Sequence, residues 1–412
     1  MIKRKLIGPF HQLLTMNNMP IKGALKDQQL EVIEDAGILT EGDYLKKVGP
    51  YNLLKKEIEG HDYSIEKLEK NYVVLPGFID PHTHICWAGN RSKDYAMRLD
   101  GKSYIEIANT GGGIWDTVIK TREASEEELT EITIKRANEL LQMGVTTIEV
   151  KSGYGLSVDD ELKMLRAINE ADRYTLANLI PTCLAAHICP KDFWGNSSDY
   201  LKTISAELLP KVKEQGLANR VDIFIEDSAF SPEDALDYLL DARQMGFELV
   251  VHADQFTTGG SKIAIQADAI SADHLEASGT EEIKELATNN IIPVALPGAS
   301  IGLADPFTPG RQLLESGASL AIGSDWNPGS APMGDLLTQA AIFSMQQKLN
   351  TAETLAAITY RAAAALDLKD RGKLIEGNIA DFILFNVDDY NEILYNQGRI
   401  KPAHVYKNGL RV

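Results

Sequence analysis

Cysteine is scarce in this 412-residue chain, with only three present. Cys86, Cys183 and Cys189 form an odd set without zinc-finger spacing, which argues against a disulfide framework and fits a reducing, cytoplasmic setting. They read as small buried apolar side chains. Long apolar runs are also missing. The nearest, "IIPVALPGASIGLA", falls short of the roughly 20 residues a membrane helix needs, and its prolines and glycines point to strand and loop. The opening "MIKRKLIGPFHQLL" is too short and interrupted in its apolar part for a secretory signal. Basic residues are a third shortage: 41 Lys and Arg stand against 59 Asp and Glu, a net charge of -18. Such a surface repels polyphosphate and anionic lipid, so neither a nucleic-acid nor a membrane partner is expected. The same field opposes a small anionic substrate, and a site for one therefore needs its own arginine.

What remains is a composition of 44% hydrophobic and 24% charged residues, that of a folded globular protein. The length fits a large barrel with an accessory part, or two to three smaller domains. Residues 1–75 read as short strands and turns, with turn residues at Glu34, Asp35 and Gly37 and again at Glu41, Gly42 and Asp43. The last stretch, 375–412, has the same character, and the two ends are expected to pair into one small β domain. Between them, over 76–374, β-rich apolar runs alternate with helical segments such as Ser125 to Met143 and Ser231 to Met245. The runs are "VVLPGFIDPHTH", "TTIEVKSGYG", "NLIPTCLAAHI", "VDIFIED", "FELVVHAD", "AISADHL", "IIPVALPG" and "SLAIGSDWNPGS". Buried strands alternating with helices are what a parallel sheet requires, and this number of repeats suits closure into an α/β (β/α)8 TIM-like barrel. A doubly wound sheet is the rival, but no GxGxxG follows the first strand.

In "FIDPHTHICWAG" two histidines lie two apart at the end of an apolar run. Residues i and i+2 of a strand share a face, so His82 and His84 can both aim into a barrel mouth and share an ion. Alone, such a pair is equally a polar strand end. The other runs shift the balance. His252 ends the fifth, His274 the sixth and Asp325 the eighth, and His187 lies in "AAHI". Barrel active sites form at this end of the strands. His252 and Asp325 read as metal ligands; His274 and His187 are either ligands or hydrogen-bonding neighbours. The glycine-rich "TGGGIWDT" lacks the Lys-Ser/Thr of a phosphate loop and reads as a loop closing over the mouth. Tyr154, Trp87 and Trp326 are either site walls or packing.

This constellation resembles the amidohydrolase superfamily of metal-dependent hydrolases. The motifs "PHTH", "GGGI", "KSGYGL", "HAD", "SADHL" and "NPGS" are similar to the branch that opens the ring of 4-imidazolone-5-propanoate to N-formimino-L-glutamate, in histidine degradation. The resemblance runs from about Pro76 to Ser330. It implies one Zn or Fe ion held by His82, His84, His252 and Asp325, with substrate contacts from Arg91, Tyr104, Tyr154, His187, Gln255, Asn327, Gly329 and Ser330. Arg91 would supply the local cation that the acidic surface demands, since a guanidinium can hold a carboxylate bidentately. Asp325 would act as base and His274 would polarise the ring carbonyl. Gln255 departs from the pattern, standing where some members carry Glu; an amide hydrogen-bonds but cannot accept a proton as a base. The family also suggests a homodimer. The rivals are a heterocycle deaminase of the same superfamily, a barrel that has lost its chemistry, and a binuclear site recruiting Glu226, although no lysine stands beside that residue.

Overall fold

Two eight-stranded sheets organise the chain, which in this computed structural model is described over residues 3–102, 106 and 110–412. One is built from the two ends: β1 (Arg4–Leu14), β2 (Val32–Glu41), β3 (Tyr44–Pro50), β4 (Ser64–Lys67) and β5 (Val73–Pro76) join the C-terminal strands. The other is all parallel, in chain order: β6 (Phe78–Asp80), β7 (Val145–Lys151), β8 (Asn178–Ala186), β9 (Arg220–Phe224), β10 (Glu248–Ala253), β11 (Ser271–His274), β12 (Ile292–Ala295) and β13 (Ala321–Ile322). Then β14 (Phe382–Phe385), β15 (His404–Lys407) and β16 (Leu410–Arg411) return to the first sheet, where β14 pairs antiparallel with β5.

The parallel sheet closes on itself beyond the last strands. Thr83 bridges Trp326, and Asp325 N donates to His82 O at 3.0 Å. The barrel expected from the alternating runs is therefore present, with every one of the runs contributing a strand. The first run is divided between the sheets: Val73–Pro76 belongs to the end-built sheet and only Phe78–Asp80 to the barrel. Gly77 lies at the crossing, where a Cβ would meet the Thr146 hydroxyl at 2.4 Å, so no larger residue fits against β7.

The helices form for local reasons. Over Glu126–Gln142, Ser125 and Glu128 make a reciprocal capping box and three acids fill the first turn, favourable at the positive end of the helix dipole. Leu129, Thr133, Ala137 and Leu140 line its buried face at helical spacing. Pro232–Gln244 starts with proline at its first position and the Ser231 side chain accepting from Asp234 N.

Three stretches differ from the sequence expectation. Glu34, Asp35 and Gly37 lie inside β2, not in a turn. The irregularity there is a register shift against β1, between Ile7 and Phe10, with Asp35 at φ +48°; a bulge uses the same residue types as a turn. The loop expected after "IIPVALP" is a short helix, Pro297–Leu303, entered through its proline. Residues 391–395 are helical as well. No helix among the described residues is long and apolar enough to cross a membrane.

The barrel core is apolar on its outside, where strands meet helices, but its interior beneath the mouth is charged. Glu149 and Lys151 of β7, Asp222 of β9 and Asp273 of β11 are fully buried there and contact one another from alternate strands, as a single interior layer does.

Candidate metal and active site

Strand pleating and closure decide where the histidines point. His82 and His84 follow β6 in the segment pinned to Trp326, His252 is next to last in β10 and His274 ends β11. His274 at its strand's last position, and Asp254 and Asp325 past theirs, have φ +82°, +51° and +51°, backbone that non-glycine residues adopt at a cost of order 1–3 kcal/mol and that recurs at active sites.

His82 Nε2 lies 3.3 Å from His84 Nε2. Asp325 Oδ1 is 3.5 Å from the former and 3.3 Å from the latter. A tetrahedral ion with arms of about 2.0–2.1 Å has ligand-to-ligand edges of ~3.3–3.4 Å, so these atoms already lie at the vertices of one. Donor atoms of His82, His84 and His252 all fall within 4.8 Å of one another, and His252 Nε2 is buried without a protein partner among the described residues. Burial and neighbouring cationic groups lower His82 well below the ordinary histidine range, and burial holds His252 at about 4. Neutral imidazoles carry the lone pair an ion needs. The other ring nitrogens face acids: His82 Nδ1 is 2.6 Å from Asp273 Oδ2, and His252 Nδ1 is 2.9 Å from Asp222 Oδ2. That pairing leaves each Nε2 bare. The residues present fit a divalent metal.

Above this cluster opens a cavity of about 1000 Å³. His84, His252, His274 and Asp325 line it, together with Tyr154, His187, Gln255, Arg91, Asn327, Gly329 and Ser330. His82 lies beneath the cavity, fully buried. Tyr104 falls outside the described residues. His187 Nδ1 is fixed 2.9 Å from Gly153 O, and its ring stacks on that of His84 with centroids 5.5 Å apart. His274 Nδ1 faces Glu276 at 3.4 Å; although burial opposes it, this carboxylate raises His274 above the usual histidine value.

Arg91 enters the cavity from the start of the helix Ser92–Leu99, its Nε donating to Asp94 Oδ2 at 2.8 Å. The same carboxylate oxygen accepts from Gly113 N, which ties the glycine-rich segment to the mouth; Gly112 and Gly113 line it. A Cβ at Gly329 would stand 2.5 Å from Arg91 Nη1, so the glycine of "NPGS" makes room for the guanidinium. Asn327 Oδ1 receives Gly329 N and Ser330 N, both at 2.8 Å.

Trp87 and Trp326 are packing: they meet edge to face at 6.1 Å, and the Arg136 guanidinium covers Trp87. Glu226 accepts from Phe256 N and from Thr257 N and Oγ1, so its carboxylate anchors the loop that carries Gln255. Asp222, Asp273, Glu149 and Lys151 were not singled out in the sequence. The signal for them is charge within otherwise apolar buried strands, as in "IEVK" and "VDIF", since unpaired charges are rarely buried.

A closed parallel barrel with a three-histidine, one-aspartate cluster at the strand ends is the architecture of a metal-dependent hydrolase, and the chain belongs to the amidohydrolase family, whose model matches residues 73–412. Within it the chain groups with the imidazolonepropionases. It is 40% identical to imidazolonepropionase of Deinococcus radiodurans over 402 residues, 97% of this chain and 98% of that protein. To imidazolonepropionase of Clostridium tetani it is 34% identical over 401 residues, 97% of this chain and 95% of that one. Among solved structures, a zinc-bound adenosine deaminase from Xanthomonas campestris superimposes with a TM-score of 0.72 at 16% identity, over 99% of this chain and 92% of that one. Atrazine chlorohydrolase from Arthrobacter aurescens, complexed with zinc, gives 0.68 at 16% identity over 99% and 94%. These two share the fold.

Proposed function

We infer that this protein hydrolyses the ring C–N bond of 4-imidazolone-5-propanoate to N-formimino-L-glutamate, the activity its relatives are named for. The observation that carries the reading is one cavity that joins the histidine and aspartate cluster to Arg91 in a chain 40% identical to such an enzyme over nearly its whole length. The site lies wholly in the barrel, taken as 76–374, with 1–75 and 375–412 forming the accessory β domain.

His82, His84, His252 and Asp325 would hold one zinc or iron ion; imidazole and carboxylate ligands suit both metals. Such an ion lowers the pKa of a water from about 15.7 to roughly 7 and polarises a carbonyl. The protein's own groups do the rest. Arg91 binds the propanoate carboxylate through the guanidinium face not used by Asp94. Tyr154 and His187 flank the ring, with Tyr104 assigned beside them from the motif. Gln255 hydrogen-bonds the ring and takes no proton. Asp325 turns Oδ1 to the histidines, while Oδ2 faces Ser330 Oγ at 3.5 Å. It accepts the proton of the attacking water and passes it to the ring nitrogen as that nitrogen leaves. Water thus adds across the C–N bond: its oxygen completes the new carboxylate, one of its protons ends on nitrogen and the other is released to solvent as the carboxylate ionises. His274, whose hold on a proton Glu276 strengthens against the effect of burial, donates to the carbonyl oxygen as negative charge gathers there.

The test supplies 4-imidazolone-5-propanoate to zinc- or iron-loaded protein and follows loss of ring absorbance with formation of N-formimino-L-glutamate. Turnover with one ion per chain is expected. Ammonia release without ring opening, or full activity in protein free of stoichiometric metal, would overturn the reading.

A further inference from the structure

The charged layer beneath the histidines contains a cation that the chemistry above does not use. Lys151 is fully buried at the end of β7. Its ammonium lies 2.8 Å from Glu149 Oε1, 2.8 Å from Asp222 Oδ2 and 3.9 Å from Asp273 Oδ2. Each contact leads on to the metal cluster. The Asp222 oxygen that meets Lys151 is the one that meets His252 Nδ1, at 2.9 Å. The Asp273 oxygen is the one that meets His82 Nδ1, at 2.6 Å. Glu149 accepts from Thr83 N at 3.2 Å through its other oxygen, and its backbone carbonyl takes Thr83 Oγ1 at 2.6 Å. Thr83 is the residue between the paired histidines.

We propose that Lys151 is a positioning residue of the metal centre: one ammonium fixes Asp222, Asp273 and Glu149 together, and through them aims His252, His82 and the segment carrying His84 at a common point. The physical need is plain. Three carboxylates packed in one buried layer repel one another strongly where water cannot screen them. Without a cation between them they would turn apart about their side-chain torsions, and each imidazole would follow its own acid. Three separate contacts would not keep the histidines in register. A single donor shared by the acids does, because moving any one of them strains the others. Partners that orient metal-binding histidines are commonly worth ~10–100-fold in metal affinity. Lys151 stands one step further back but acts on several ligands at once.

The proposal rests on His82, His84, His252 and Asp325 being the ion's ligands, and its test separates the two ideas. Zinc affinity is measured by competition with a chromophoric chelator for the wild type, Lys151→Met and Lys151→Gln. The melting temperature of each apoprotein and the visible spectrum of each cobalt-loaded form are recorded beside it. Methionine matches the stem without the charge, so a loss of ~10–100-fold in affinity is expected, with an altered cobalt spectrum in the folded protein. Glutamine keeps a donor toward Asp222 and should fall between; if the methionine variant does not fold, the glutamine variant decides. A purely structural lysine would lower the melting temperature and leave affinity and spectrum as in the wild type. Affinity within twofold of wild type in a folded variant therefore overturns the proposal and leaves the ligand assignment standing. A wild type that takes up neither zinc nor iron in stoichiometric amount overturns both.

Discussion

On the face where the barrel strands begin, Arg371 donates to Thr147 Oγ1 and Asn178 Oδ1 at 2.9 Å and pairs with Asp370. Lys407 of β15 reaches Asn178 and Asp381 from the accessory sheet. These groups are paired, and the pairs join the two sheets. On the face where the strands end, His84 Nδ1, His252 Nε2 and Glu276 Oε2 are buried without protein partners among the described residues, and Asp325 and His274 hold left-handed backbone. Open atoms and left-handed backbone are not confined to that rim, since Arg220 Nη1 at the start of β9 lacks a partner and Asp268 before β11 has φ +53°; what sets the rim apart is that such groups surround one cavity there. Buried polar atoms left open are costly. Where they line a cavity, as at His84 and His252, they mark the place where a ligand completes them.

The contrast is broken most severely by exchanging the consequences of mutation at the two ends. His252→Ala should abolish metal content and lower turnover by on the order of 10³ or more, the several kcal/mol of transition-state stabilisation an ion supplies. Arg371→Ala should keep both metal and turnover while losing about 2 kcal/mol of stability, read as a lower thermal midpoint. Metal analysis, initial rates and melting curves on the same preparations check this. A strand-start variant that lost metal without unfolding would erase the distinction.

A smaller effect separates ion from substrate within the rim itself. Arg91→Ala removes the cavity cation assigned to the propanoate but touches no metal ligand. KM should rise by ~10–100-fold with metal content unchanged, the pattern of a lost charge-assisted contact. An equal rise for a substrate analogue lacking the carboxylate would show that Arg91 serves the loop at Gly329 and not the anion.

The rim was far more legible in the sequence than the layer beneath it. His82, His84, His252, His274 and Asp325 could be found because a parallel barrel puts strand ends on one face, and histidines at the ends of apolar runs stand out against their surroundings. Gly329 was legible only as part of a motif; its reason, the approach of Arg91, needs the third dimension. Lys151 and Asp222 sit in different strands separated by β8, and no spacing rule in a linear sequence brings them together. At the accessory sheet, Glu34 to Gly37 carried turn chemistry that the pairing of β1 with β2 overrode, the extra residue of the bulge falling on β1 between Ile7 and Phe10, since a long ladder outweighs a local preference. The division of "VVLPGF" between two sheets was equally hidden, because both halves are apolar and only Gly77 marks the crossing.

The gentlest probe of the comparison uses acid at the strand-start face. Glu353 is fully buried: Oε1 accepts from Leu25 N and Arg311 Nη2, and Oε2 from Arg311 Nη1 and Asn350 N. Burial alone would raise its pKa, but the Arg311 pair and the backbone donors hold it below the usual glutamate value. A depressed folded-state pKa means the unfolded chain takes up the proton first, near pH 4.3. The stabilisation is therefore complete above that pH, declines as the pH falls below it, and is gone once the folded carboxyl is itself protonated. Glu353→Gln should cost about 1–3 kcal/mol at pH 7. Its difference from wild type should narrow as denaturation is followed down through about pH 4, with metal content at neutral pH unchanged. A difference that stayed constant with pH would mean that shape and not charge holds Leu25 and the helix at Thr351 together, and the strand-start face would owe less to its ion pairs than its geometry implies.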